Sequence, residues 1–261
     1  MKPDFKKYRI PKTLQLLFIG VLTFNVLWLF FSLIFQNKAL PNPIYVYEIM
    51  PKTIAAGMGE HIWASLRRVL IGTSISLFFG LIGGMLTALS KKANRIFEPL
   101  LYLSYPIPKL ALLPIIMIVF GIGETTKIVM IILIIVFQLM ISIRDAVRRI
   151  PKENYYVLSS LGAGKLQYTH HVILPGILPD VFSALRITVG IAISVLFVTE
   201  TFGTDKGLGF FIVDAWMRLD YLTMYAGIVA ISIIGFLLFL VIDVADAVFC
   251  RWDKIRSRNS P

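Results

Sequence analysis

Apolar positions in this chain gather into long unbroken runs, and polar positions into short clusters between them. The runs lie near 13–35, 67–90, 98–121, 125–143, 181–202 and 224–250. A helix needs roughly 20 apolar residues to cross a bilayer core. The pattern therefore predicts an all-α integral membrane protein with six transmembrane helices. It reads as one transmembrane domain over 1–261 with no separate soluble domain, and an even number of spans puts both termini on the same side.

Basic residues decide which side. The N-terminus, the loop 91–97, the loop 144–180 and the C-terminal tail together hold 17 Lys and Arg, against 7 on the opposite side. Cations are retained on the cytoplasmic face, so both termini and the 144–180 loop are expected in the cytoplasm. Met1 to Lys12 is basic and precedes an apolar run, as in a signal peptide. The run from Thr13 to Phe35 is too long for a signal core, and no small-residue cleavage site follows it. It reads as a retained membrane helix.

Two runs carry internal structure. In the second, Gly72, Ser76, Gly80, Gly84 and Ala88 recur every four residues. Small residues on one helix face let backbones approach closely in lipid. The stripe serves packing inside the subunit, a subunit interface or a pathway. The third run is broken by Pro106, Pro108 and Pro114. Proline removes a backbone donor and kinks a helix, which a membrane tolerates where the helix is packed in protein or lines a cavity. Lys109 follows the kink. It is a candidate for the substrate pathway, or a lysine that snorkels to the interface.

The 144–180 segment is long, basic and punctuated. Pro151 suits a helix start, Tyr155, Tyr156, Val157, Leu158 and Leu161 have helical spacing, and Gly162 supplies a stop. A second short helix is expected from Lys165 to Leu174, ended by Pro175, with Pro179 reinforcing the break before the fifth span. An apolar face on Tyr155, Tyr156 and Leu158 needs a cover: a partner protein, the membrane interface, or the chain's own helix ends.

Composition and charge narrow the classes. Charged residues make up 16% of the chain, against about 25% in soluble domains. The net charge of +11 sits just outside the apolar runs, which argues for membrane topology and against nucleic acid. The one cysteine, Cys250, excludes an intrachain disulfide. His170 and His171 are adjacent and point about 100° apart on a helix, so no metal site is expected. Gly164-Lys165 lacks the first Gly and the Ser/Thr of a phosphate loop, so ATP belongs to a partner. Gly207-Leu208-Gly209 follows no strand and reads as an outer turn. Glu200, near the end of span five, is a candidate pathway residue or a hydrogen-bonded structural carboxylate. Asp243 and Asp246 share a face and are expected to pair with Arg186 or Arg251, with proton coupling as the other use.

Gly162, nine further residues, then Val172, Leu174 and Pro175 resemble the signature loop of binding-protein-dependent ABC importer permeases. The family's Glu-Ala-Ala positions are occupied here by Tyr156, Val157 and Leu158. Leu66-Arg67-Arg68-Val69-Leu70, Pro108-Lys109 to Pro114, Phe120 to Glu124, Leu178-Pro179, Glu200 and Gly207-Leu208-Gly209 are similar to the type I branch that carries nitrate, sulfonates, taurine and thiamine-precursor pyrimidines. The resemblance covers about 60–250. It implies a non-catalytic subunit that takes small anions or small heterocycles and forms a pathway with a second permease subunit, most simply an identical one, in the bacterial inner membrane. ABC ATPase subunits would hold ATP and Mg, and this chain would hold no cofactor. An extracytoplasmic substrate-binding protein would deliver to the outer loops 36–66 and 203–223. The resemblance makes the 144–180 loop a coupling helix, with Tyr155, Tyr156, Val157, Leu158, Ser159, Leu161, Gly162, Ala163, Leu174 and Pro175 at the ATPase contact, chiefly apolar and aromatic. The rival reading is a stand-alone secondary transporter or channel. The inverted repeats common in ion-driven carriers are not evident, and neither is the catalytic constellation of a membrane enzyme.

Overall fold

The structure is a computed structural model and describes residues 10–160, 162–250 and Trp252. Leu161, Arg251 and the cationic stretches at both ends lie outside the described residues, and of Val157 only the backbone is described. The helices run α1 (Ile10–Phe35), α2 (Pro43–Thr53), α3 (Gly59–Leu89), α4 (Lys91–Ser104), α5 (Leu113–Phe120), α6 (Glu124–Arg149), α7 (Glu153–Ser160), α8 (Lys165–Tyr168), α9 (Leu174–Glu200), α10 (Leu208–Met217) and α11 (Tyr221–Phe249). Among the described residues, five helical segments are long and apolar enough to cross a membrane. A sixth span exists if α4 and the segment 109–120, bent by 92° at their junction, count as one. The bend falls on Pro106 and Pro108, where the sequence places it.

Three boundaries differ from the sequence expectation. Residues 43–66 are helical rather than a loop: α2 leads into α3 through a wide turn at Ile54–Met58, where Gly57 has φ +117°. Residues 144–149 continue α6 and are not part of the connection. Pro175 and Pro179 do not break the chain. Pro175 lies in the first turn of α9, where a missing N–H costs little, and Pro179 is inside the helix. The Thr169–Ile173 turn before it is wide, with the Leu174 N–H bonded to the Thr169 carbonyl. The helical path from Lys165 to Glu200 is thereby kept as one apolar segment.

Helices α3, α6 and α9 make the centre. The small-residue stripe of α3 packs on α6. A Cβ added at Gly72 would lie 2.7 Å from Ile131 Cγ2, one at Gly80 2.8 Å from Leu139 Cβ, and one at Gly84 2.8 Å from Ile143 Cβ. The stripe therefore serves packing inside the chain. Leu139 and Ile143 of α6, with Val147, also meet Ile173 of the wide turn and Ile177 and Val181 of α9. Farther along, Met130, Ile131 and Ile135 meet Ala192, Val195 and Leu196. Helix α11 joins α9 through Arg186, whose Nε donates to Asp243 Oδ1 at 2.7 Å, the pairing expected from the sequence. Helix α1 lies at the edge, held near its C-terminal end by Trp28, which stacks on Tyr225 at 5.3 Å and donates to the Pro41 carbonyl.

Candidate functional site

The bundle has two chemically different ends. At one, the starts of α3, α6 and α10 meet the end of α9. Arg68, in the third turn of α3, is fully buried there. Its Nη1 donates to Glu200 Oε1 at 2.6 Å and to the Lys206 carbonyl at 2.8 Å. Its Nε donates to Glu124 Oε2 at 3.0 Å, and its Nη2 to Glu124 Oε1. Arg67 reaches the same carboxylate, with Nη2 at 2.9 Å from Glu124 Oε2. A planar fork of donors suits two carboxylates at once better than an ammonium would.

Glu200 is as buried as Arg68. Ser65 Oγ lies 2.9 and 2.8 Å from its two oxygens, and the Gly209 N–H donates to Oε2 at 2.9 Å. Glycine is required at two places around it. Gly207 has φ +127°, and a Cβ there would overlap the Glu200 carboxyl; one at Gly209 would lie 2.7 Å from Glu200 Cβ. Lys127 is buried in the first turn of α6, and its ammonium donates to the Gly123 and Gly203 carbonyls at 3.0 and 3.4 Å. Just outside, the exposed Lys206 ammonium donates to Glu60 Oε2 at 2.9 Å, and that hydrogen bond raises the lysine's pKa above its ordinary value.

The sequence marked Leu66–Leu70, Phe120–Glu124, Glu200 and Gly207–Gly209 as separate motifs. The structure brings all four to this one network. Gly207-Leu208-Gly209, expected as an outer turn, opens α10, and all three residues are buried there. Arg68 and Lys127 are not loop cations. Sequence reasoning missed their role because a charge at the edge of an apolar run looks like a boundary marker.

At the opposite end, α7 closes on Gly162. The Gly162 N–H bonds to the Ser159 carbonyl at 3.1 Å and the Ala163 N–H to the Leu158 carbonyl at 3.0 Å. Gly162 has φ +67°. This is a Schellman closure, in which glycine removes the penalty of the left-handed conformation. The two tyrosines part company. Tyr155 is half-buried against the α6–α9 core and lies 5.9 Å from the Tyr168 ring, and burial raises its pKa. Tyr156 points out and is 63% exposed, as is Leu166 of α8 at 82%. Ser159 and Gly162 are also exposed, Leu158, Ala163 and Pro175 are intermediate, and Leu174 is 37% exposed. The outward apolar face is thus Tyr156 with Leu166, and Leu166 was not foreseen as part of it.

Lys109 sits in the bend of the broken segment, at the start of the tight turn Lys109–Leu112, with its ammonium 5.6 Å from the centre of the Phe137 ring. Lys109 and Glu200 are not brought together: the first rests on an aromatic face of α6, the second is enclosed by α3 and α10.

An all-helical membrane chain with these motifs in this order has a family. Residues 76–252 match the binding-protein-dependent transport system inner membrane component, and the chain belongs to that family. It is a multi-pass membrane permease of an ABC importer, in the taurine, sulfonate and nitrate branch. It is 36% identical to the taurine transport system permease protein of Escherichia coli K12 over 94% of this chain and 93% of the relative. The formylaminopyrimidine transport permease protein of Halalkalibacterium halodurans is 28% identical over 84% of this chain and 88% of its own length. The nitrate import permease protein of Synechococcus elongatus is 28% identical over 80% and 82%. The fold is that of the inward-facing methionine ABC transporter MetNI, with a TM-score of 0.65 and 21% identity over 74% of this chain and 95% of that one.

Proposed function

We propose that this permease carries a small oxyanion or a zwitterion with an oxyanion group into the cell, and that the Gly162 end couples it to a separate ATPase. The supporting observation is the short α7, closed by its own backbone, which holds Tyr156 outward beside Leu166. Exposed apolar side chains on a basic loop are costly in water and suit a protein partner. With the bent pair counted as one span, the Gly162 end shares a side with both termini, and we take that side as the cytoplasm. The charge asymmetry supports this orientation, and the burial of Arg68 and Lys127 removes two cations from the opposite side's loops. The Arg68 end then faces outward, where a substrate-binding protein delivers.

Two copies of this chain form the pathway, and the ATPase subunits bind ATP and Mg. Closure of the ATPase pair moves α7 and α8, and α9 carries that movement as one helical path to the Arg68 end. ATP thereby biases a two-state pathway. Lys109, in the bend, faces the pathway and favours anions. The taurine, sulfonate and nitrate permeases among the relatives support this substrate class.

The test is Gly162→Val in vesicles that also hold the ATPase subunit and the binding protein. A β-branched residue at positive φ reshapes the turn. Membrane insertion is expected to persist, while ATP hydrolysis no longer drives uptake. Uptake per ATP equal to wild type would refute the coupling role.

A further inference from the structure

Arg67 and Arg68 leave consecutive positions of α3 yet reach one carboxylate, Glu124. Arg68 already has a buried acid of its own in Glu200, so Glu124 is not needed to neutralise it. Glu124 is also the acid of this network that solvent reaches, with its side chain 44% exposed beside Arg67 at 49%. It follows directly on Gly121-Ile122-Gly123, where Gly121 has φ +79° and a side chain at either glycine would meet open space. The Gly121 and Gly123 carbonyls are held by Thr126 and Lys127, so the backbone stays in place and the freedom lies in the half-exposed Glu124 side chain. Behind it Lys127 is held by two carbonyls, with no carboxylate at ion-pair distance among the described residues. Without Glu124 the pocket would keep Arg67, Arg68 and Lys127 around a single acid, Glu200, whose two oxygens are already engaged by Ser65, Arg68 and Gly209.

We propose that Glu124 is an exchangeable counter-ion, and that a small oxyanion such as a sulfonate, nitrate or carboxylate takes its place on Arg67 and Arg68. The guanidinium fork matches paired oxygens on a trigonal or tetrahedral group. Exchanging one anion for another keeps both cations paired, whereas a neutral solute would take the carboxylate from Arg67 and leave Arg68 with Glu200 alone. The site thereby selects anions at the mouth of the pathway. The inference rests on the importer reading for the source of the anion, but binding itself requires neither the ATPase nor transport.

The experiment titrates the purified chain in detergent micelles with sodium methanesulfonate, at constant ionic strength in sodium chloride. Dimethyl sulfone serves as the neutral isostere, and heat of binding and melting temperature are read. Methanesulfonate is expected to bind and raise the melting temperature, and dimethyl sulfone to do neither. Glu124→Gln removes the competing charge and is expected to bind methanesulfonate about tenfold more tightly, the size of an ordinary coupling between sites. Arg67→Gln, at a half-exposed position, is expected to abolish binding. Absence of binding to wild type, no gain in Glu124→Gln, or undiminished binding in Arg67→Gln would each overturn the proposal. If Glu124→Gln does not fold, Arg67→Gln decides alone. Vesicles with the ATPase and binding protein separate the two readings. ATP-driven uptake that is normal in Arg67→Gln defeats the site and leaves the importer standing, whereas no ATP-driven uptake by wild type defeats the importer reading itself.

Discussion

The Arg68 end and the Gly162 end of this bundle solve opposite problems. At the Arg68 end, charge is buried and engaged. Arg68 links α3 to α6 and α9, and Glu200 ties in α10 through the Gly209 N–H. At the Gly162 end, the interior is apolar, the turn is closed by backbone alone, and Tyr156 and Leu166 are left outward. One end is held by saturating its polar groups among themselves. The other keeps contact area in reserve. On the coupling role proposed for the Gly162 end, the driven end is the one that keeps apolar contact area uncovered.

The sharpest way to break the comparison is Arg68→Met. Removing one partner of a buried ion pair leaves the other uncompensated, at a cost of about 3–5 kcal/mol. The variant is expected to melt far below wild type in detergent, and Arg68→Met with Glu200→Met together should recover part of the loss. If the single variant melts like wild type, the network does not hold the four helices together.

The α3–α6 seam joins the two ends and should be next in sensitivity. Gly84→Val drives a branched side chain into Ile143 and the Met140 carbonyl. Overpacking of this kind costs about 1–3 kcal/mol. A thermal melt checks it, and Gly59→Val, at a helical glycine where a side chain meets open space, gives the cost of a branched residue without crowding. Similar loss at both sites would mean that the seam is not closely packed.

The seam was legible in the sequence because a four-residue recurrence is a local signal, and the helix period turns it directly into a face. The broken third segment was legible for the same reason, since prolines act where they stand. The Arg68 network was not. Arg68 lies 56 residues from Glu124 and 132 from Glu200, and no periodicity reports a contact across that distance. The motifs around these residues could be recognised one by one, but their meeting needed the fold. Pro175 misled because proline ends a helix from within yet fits its first turn, and the sequence does not say which applies. Tyr155 and Tyr156 looked alike, but adjacent positions on a helix point about 100° apart, so only one of them turns to the core.

That pair gives the next measurement. Tyr155→Ala removes a half-buried ring from the α6–α9 core and is expected to cost about 1–2 kcal/mol, below the figure for a fully buried aromatic. Tyr156→Ala is expected to change stability by less than about 0.5 kcal/mol, yet to lower ATP-driven uptake in vesicles. The comparison is sharpened if the two losses divide in this way. If Tyr155→Ala leaves stability intact and Tyr156→Ala reduces it, the inward and outward assignments are reversed.

The smallest effect belongs to Lys206 and Glu60, an ion pair at the same end as Arg68 and Glu200 but in water. Its geometry is good, at 2.9 Å, and the lysine's pKa is raised by the hydrogen bond to Glu60. A raised lysine pKa contributes stability that is fully present below the ordinary lysine value and is lost as pH rises through the raised one. The contribution is small because both groups are exposed, and exposed pairs gain little over their own hydration. Lys206→Gln should therefore melt with wild type in low salt at neutral pH, where the pair is intact. A drop that approaches the Arg68→Met loss would mean that the position of this charge at the rim, and not its burial, is what stabilises the Arg68 end.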